Sequence, residues 1–363
     1  MKNTYGHNLT ITLFGESHGE AIGAVIDGIA SGIKIDKQFI NNQLSLRRPF
    51  GKISTARSEE DNFKILSGVF NGYTTGTPIC IVIENQDIKS KDYSMINGKA
   101  RPGHADYTAF MKYGGYEDFR GSGHFSGRIT AAIVAAGAII ISALKSKGII
   151  IGTHILECAG VADRAFNNLE KDICMLSSKN FAVLDDEKGE KMQENILKAK
   201  EELDSVGGIL QTAVLGMPSG IGEPWFDTIE GVLSLGLFSI PAVKGVEFGM
   251  GFAFADMKGS QANDSFVFEN GEIKTVTNNN GGINGGISNG MPIIFSTVIK
   301  PTPTISKPQQ TVDFKKRENI TLSVNGRHDP CIVHRARVVI DSITAFTLAD
   351  FLVGKYGTDW LKG

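Results

Sequence analysis

Four histidines stand in short glycine- or proline-rich motifs: His18 in "GESHGEAIG", His104 in "RPGHADY", His124 in "GSGHFSGR" and His328 in "GRHDP". A fifth, His334, directly precedes Arg335. Imidazole changes charge near neutral pH and suits proton transfer, although a lone histidine is more often a satisfied structural residue. Arginine has a parallel distribution. Nine of the 11 arginines lie in comparable motifs (Arg47, Arg48, Arg57, Arg101, Arg120, Arg128, Arg327, Arg335 and Arg337), whereas the 26 lysines dominate the polar helical stretches. A guanidinium fork matches carboxylate or phosphate, and glycine lets backbone N–H groups come close to an anion. Taken singly, an arginine usually forms a surface ion pair worth about 0–1 kcal/mol. The shared setting points instead to loops that converge on one or two polyanionic small molecules, with His18 and His104 as general acids. Metal binding by His18, His104 and His124 is not expected, because their spacing fits no i, i+4 pattern and nearby arginines repel a cation.

The elements that must position these residues occur twice. "FGESHGEAIGAVIDGIASGI" from Phe14 and "LDSVGGILQTAVLGMPSGI" from Leu203 align on Gly19 and Gly207, with Ser17 on Ser205, Glu16 on Asp204 and His18 on Val206. "GYTTGTPICIVIE" and "GGISNGMPIIFSTVI" align on Gly76 and Gly290 and on Pro78 and Pro292, and both run into β-branched strands. Each half then ends in an apolar helix preceded by arginine, Arg128 in the first and Arg335 with Arg337 in the second. The expected architecture is α+β, with mostly antiparallel sheets, central helices and an internal pseudo-twofold duplication spanning about 10–150 and 200–355 of one domain, 1–363. No strand followed by G-x-G-x-x-G suggests a doubly wound dinucleotide fold. The Glu/Lys-rich stretch "LDDEKGEKMQENILKAKEELDSVGG" reads as a solvated helix, and "ISKPQQTVDFKKRENIT" as a loop leading back into a strand.

The whole chain narrows the classes further. With 37 basic and 39 acidic residues its formal charge is −2, which argues against a general nucleic-acid or membrane-surface binder. The start has no apolar stretch after a basic one, so a cytoplasmic protein is expected. The longest apolar run, Ile129 to Leu144, is shorter than the roughly 20 residues that span a bilayer and reads as a buried core helix. Cys80, Cys158, Cys174 and Cys331 form no C-x-x-C pair and read as small apolar packers.

"GESHGEAIGAVIDG", "GHFSGRIT" and "GRHDPCIVHRARVVID" resemble, in order, three signatures of the chorismate synthase family, and "RPGHADY", "PAVKGVEFG" and "GGINGGISNGMPI...KPTPTI" are similar to that family as well. The resemblance runs from Tyr5 to about Leu352. It implies a β-α-β sandwich, a homotetramer, and a 1,4-anti elimination of phosphate and a C6 hydrogen from 5-enolpyruvylshikimate 3-phosphate. It also implies a need for reduced FMN without net redox change, with NADPH or an external flavin reductase as the source of electrons. Carried over residue by residue, His18 would assist the departing phosphate, His104 would keep the flavin in its active protonation state, and Asp329 would relay the C6 proton by way of the flavin N5. Ser17, Arg47, Arg57, Arg101, Arg128 and Arg327 match positions around the substrate. Arg47, His124, Phe125, Ser126, Pro241, Ala242, Gly285, Lys300, Pro301, Thr302, Pro303, Thr304 and Arg327 match cofactor positions, Arg47 through a position assigned to NADP. The chain departs from the commoner pattern at His124-Phe125-Ser126-Gly127, where many members read Arg-Ser-Ser-Ala, and at Asp341, where glutamate is usual. The rival readings are an FMN-dependent oxidoreductase and an inactive flavin- or polyanion-binding scaffold.

Overall fold

The structure, a computed structural model, describes residues 2–55, 60–86, 97–324 and 328–362. The first half forms a sheet from β1 (Thr4–Tyr5), β2 (Thr10–Gly15), β3 (Ala21–Asp27), β4 (Phe63–Ile65) and β7 (Ile79–Glu84), ordered β1-β2-β3-β7-β4. A small hairpin, β5 (Val69–Phe70) with β6 (Tyr73–Thr74), lies between its last two strands in sequence. The second half builds β8 (Ile150–Cys158), β9 (Val161–Ala162), β10 (Gly208–Leu215), β11 (Val243–Phe248) and β16 (Ile293–Ile299) into a sheet ordered β11-β16-β10-β8-β9. Its insertions are three hairpins: β12 (Phe266–Glu269) with β13 (Glu272–Thr275), β14 (Ile283–Asn284) with β15 (Ile287–Ser288), and β17 (Gln309–Asp313) with β18 (Glu318–Leu322).

The two large sheets correspond strand by strand, β3 with β10, β7 with β16 and β4 with β11, and every pairing within them is antiparallel. Pro78 and Pro292, which align in the sequence repeat, immediately precede β7 and β16. The helices follow the same scheme. Helix α1 (Lys37–Arg47) follows β3, and α3 (Thr130–Ser146) comes after β7 and the short α2 (Asp106–Tyr113). In the second half, after α4 (Leu169–Leu176) and α5 (Asp186–Glu201), α6 (Ile229–Ser239) follows β10. The one-turn α7 (Gly259–Ala262) comes next, and α8 (Val333–Tyr356) comes after β16. The order of strands and helices repeats between the halves, with β8 and β9 at 150–162 joining the second sheet ahead of the expected 200–355 repeat.

Helix α3 packs on β3 and β7, α8 packs on β8 and β10, and the two helices pack on each other, so the sandwich has a helical centre. Helix α3 is apolar on almost every face, whereas α8 is buried along most of its length and carries polar side chains such as His334, Arg337, Asp341 and Asp350 among its apolar ones. Each fully buried Ile, Val or Leu there contributes about 1.5–3 kcal/mol relative to exposure. Where α3 crosses α8, a Cβ on Gly137 would lie 2.3 Å from the Ser342 Cβ, so only glycine allows this approach. The helix α5 is amphipathic rather than wholly solvated: Asp185 caps it by accepting from the Glu187 and Lys188 amides, and Met192, Ile196 and Ala199 are buried. The stretch read as a loop at 305–321 contains β17 and the start of β18; burial alternates along β17, but its residues are mostly polar and gave no apolar alternation. Of the cysteines, Cys158 and Cys331 are buried with their sulfurs 3.6 Å apart, whereas Cys174 is exposed.

Candidate active site

Three helix ends meet near the arginine motifs. Arg47, the last residue of α1, donates from Nε to the Thr130 hydroxyl (3.0 Å) and from Nη2 to the Gly127 and Arg128 carbonyls (3.3 and 3.4 Å), which joins α1 to the start of α3. Arg335 donates from Nε to the Arg47 carbonyl (2.8 Å) and from Nη1 to Asp329 (2.6 Å), which joins the start of α8 to the same point. Asp329 also accepts from the Thr55 amide (2.9 Å), and His334 pairs with the Ser54 hydroxyl (2.9 Å). The first turns of α3 and α8 therefore lie side by side, and their partial positive charge favours anions. Arg128 donates to Asp61, to Asn85 Oδ1 (3.1 Å) and to the Glu84 carbonyl (3.5 Å).

A second cluster forms around the turn at Arg120–Phe125. Ser17 donates to the Gly121 carbonyl (2.8 Å), its amide donates to the Gly123 carbonyl (3.1 Å), and His18 lies buried beside it. Gly121 has φ 55°, and a Cβ on it would fall 2.1 Å from the His18 ring, so glycine is required for the imidazole to fit. Arg101 donates to both oxygens of Asp106 (2.9 and 2.7 Å) and to the Ser122 hydroxyl (2.9 Å). Three residues on, the His104 Nε2 is hydrogen-bonded to Thr304. Burial, followed by the Arg101 charge, pushes the His104 imidazole down to about 4, with Lys300 and His328 acting in the same direction and Asp106 opposing them. Without a bound anion His104 is thus neutral through most of the acid range.

The expected cofactor residues fall in three places: the 241–242 and 300–304 segments, the Arg120–Phe125 turn with Ser126, and a hairpin tip. The Lys300 amide donates to the Ala242 carbonyl (2.9 Å), which places Pro241 and Ala242 beside the 300–304 run, and the Lys300 Nζ donates to the Gly103 carbonyl (2.8 Å). In the turn His124 bonds the Gly15 carbonyl (2.8 Å), the Phe125 ring is 41% exposed beside Tyr113, and Ser126 caps the short turn that carries Arg128. Gly285 forms the tip of the β14–β15 hairpin at φ 61°, with open space where a Cβ would stand. Arg57 and Arg327 lie outside the described residues.

The aligned serines of the repeat have one job in both halves. Ser17 donates to Gly121 ahead of α3, and Ser205 donates to the Thr302 carbonyl (2.7 Å) in the 300–304 run. The amide of Val206, the residue aligned with His18, donates to the Pro330 carbonyl just ahead of α8. In each copy the aligned serine ties its turn to a distant backbone carbonyl, while the second copy has Val206 where the first has His18.

The family model for chorismate synthase matches residues 9–353. The chain belongs to the chorismate synthase family. It is 48% identical to chorismate synthase of Pyrococcus abyssi over 348 residues, covering 96% of this chain and 97% of that protein. It is 44% identical to the enzyme of Thermococcus kodakarensis over the same shares. A solved crystal structure of chorismate synthase superposes with a TM-score of 0.76 at 30% identity, covering 98% of this chain and 94% of the other. Membership in the chorismate synthase family makes the protein a lyase of aromatic amino-acid biosynthesis, and the oxidoreductase and scaffold readings are not favoured.

For a chorismate synthase fold, several supporting residues were not legible in the motifs. The β17–β18 hairpin holds the Arg101 segment: Thr311 donates to the Ala100 carbonyl, the Ala100 amide donates to the Val312 carbonyl (3.0 Å), and the Phe314 ring packs at a tilt against Tyr107 and Phe110. Asn85 joins Arg128 to the His18 turn by donating to the Glu16 and Gly19 carbonyls (2.9 and 3.0 Å). Asp341, at the position where glutamate is usual, is buried in α8 and accepts from Thr153 (2.6 Å), and burial pushes its carboxyl up to about 6.

Proposed function

We propose that the chain converts 5-enolpyruvylshikimate 3-phosphate to chorismate by 1,4-anti elimination of phosphate and a C6 hydrogen, using reduced FMN with no net redox change. The observation that carries this reading is the turn Arg120–Phe125, which seats the His18 ring against Gly121 and holds Arg101 through Ser122, with His104 three residues beyond Arg101 and bonded to Thr304 of the 300–304 run. Such a site suits a substrate with two carboxylates and a phosphate.

In this mechanism Arg101, Arg128 and Arg47 hold the anionic groups, with Arg57 and Arg327 as further partners. Ser17 keeps the turn closed beneath His18, which gives a proton to the departing phosphate oxygen. The phosphate's negative charge favours the protonated form of His104 and so reverses the effect of the surrounding cations. Asp329, which accepts from Arg335 and the Thr55 amide, takes up the proton lost from C6. The residues present would suit a flavin: the exposed Phe125 ring offers a planar face, and Lys300, Thr302, Thr304, His124 and Ser126 offer donors for polar groups and phosphate, with Pro241 and Ala242 beside the 300–304 run and Gly285 apart from it at a hairpin tip. A reduced flavin held by these residues would supply an electron-rich ring system to the elimination.

Reducing equivalents come from outside, from NADPH through an external flavin reductase, and the enzyme works in the cytoplasm as a homotetramer. Self-association is supported by aromatic side chains left in solvent, Trp225 at 85% and Phe226 at 95% exposure, and by Phe238 and Leu235 on α6. Light scattering on the purified protein checks the assembly. The decisive assay is anaerobic phosphate release with substoichiometric pre-reduced FMN. Many turnovers per flavin are expected; one turnover per flavin, or none, refutes the elimination.

A further inference from the structure

The Asp61 side chain is 1% exposed and sits among three guanidinium groups. Its Oδ2 accepts from Arg47 Nη1 (3.3 Å) and lies 3.9 Å from Arg48 Nε, while its Oδ1 accepts from Arg128 Nη1. Asp61 also holds φ 52°, a left-handed conformation that aspartate tolerates better than most residues. Both oxygens of one buried carboxylate are thus spent on the two arginines that the proposed mechanism assigns to substrate. The opposite edge of Arg128 is fixed by Asn85, which is bonded on either side of His18.

We propose that Asp61 is a positioning residue for the elimination: its carboxylate sets Arg47 and Arg128 in the orientation that receives the substrate's anionic groups, and holds Arg128 in register with the turn that carries His18. The proposal rests on the assignment of Arg128 to substrate binding made above. The physical reason is that three guanidiniums gathered in a low-dielectric site repel one another, and a shared carboxylate holds them with charge-assisted, directional bonds. Aspartate in this place leaves a net positive site for a polyanion, whereas a neutral residue leaves the arginines free to splay apart.

The test is steady-state kinetics under anaerobic conditions with reduced FMN and 5-enolpyruvylshikimate 3-phosphate, on Asp61→Asn, Arg128→Gln and the double variant. Loss of a charged hydrogen bond at this point is expected to raise KM about 10- to 100-fold in Asp61→Asn, with a much smaller change in kcat. Arg128→Gln alone should also raise KM, and adding Asp61→Asn to it should change KM much less than in the wild-type background. An unchanged KM in Asp61→Asn beside a raised KM in Arg128→Gln overturns the positioning role. A lowered KM in Asp61→Asn also overturns it, since that would make Asp61 a competitor of the substrate. If Arg128→Gln itself leaves KM unchanged, the assignment of Arg128 to substrate fails and the proposal falls with it. Should Asp61→Asn fail to fold, Asp61→Asn combined with Arg48→Gln removes one charge of each sign and is judged by the same KM criterion.

Discussion

Replacing Gly121 by alanine tests the proposed role of His18 without removing the imidazole. The new Cβ would lie 2.1 Å from the ring and 2.7 Å from Ser17 Oγ, whereas ordinary contact begins near 3.4 Å. The ring must therefore withdraw by more than about 1 Å, a misplacement that costs on the order of 100-fold when the group takes part in the chemistry. Alanine at φ 55° adds about 1–2 kcal/mol of backbone strain. Gly160→Ala separates the two effects, because Gly160 has φ 75° and nothing within 4 Å of its would-be Cβ. The assay is anaerobic phosphate release with pre-reduced FMN, alongside thermal melting of each variant. Similar melting losses in both variants, with a roughly 100-fold slower rate only in Gly121→Ala, is the expected pattern. Wild-type turnover in a folded Gly121→Ala protein would refute the reasoning, since proton delivery would then not depend on where His18 stands.

Further outcomes follow from the same geometry. The His104 ring should titrate near pH 4 in the ligand-free protein and at higher pH with inorganic phosphate bound, as read from its ring-proton NMR signals; a midpoint near 6.5 without ligand would contradict the burial and cationic surroundings. Because the folded His104 pKa is depressed, stability should fall as pH drops from about 6.5 towards 4, and His104→Gln should lessen that fall. For Asp341 the sign is reversed: its folded pKa is raised, so the associated stability is fully present below about 4 and is lost as pH rises through about 6. Asp341→Asn keeps the acceptor for Thr153 and should be more stable than wild type by about 2–3 kcal/mol at pH 8, with no difference near pH 4, as measured by denaturant unfolding at both pH values. Phe314→Ala should loosen the Arg101–His104 segment, increase amide exchange across 99–106 and raise KM, while leaving exchange in α8 unchanged.

The fold was legible where hydrophobic period and repetition agreed. The run from Ile129 to Leu144 and the paired glycine–proline frames before β7 and β16 required a buried helix and two equivalent sheets. The clustering of the proposed site was legible where a charged or titratable residue stood in a glycine-rich turn, as at His18 and Arg101, which the fold brings to one turn. What was not legible depended on long-range contact. Nothing near Asp61 in sequence distinguishes it from other acidic surface residues; its importance comes from Arg47 on α1 and Arg128 ahead of α3. Gly121 is one of 43 glycines, and only the His18 ring against it marks it out. The polar β17 strand offered no apolar alternation to betray a strand, because its partners are the backbone of Ala100 and the other arm of its own hairpin.

The contact of Gly137 with Ser342 has a bearing on activity that its depth conceals. Arg128 and Asp329 stand at the heads of the two helices that touch there, so the width of the gap between those residues is fixed by how closely the helices pass in the interior. A single methyl group at position 137 would spread the heads apart like the jaws of a clamp, slowing turnover from a point that no ligand ever reaches.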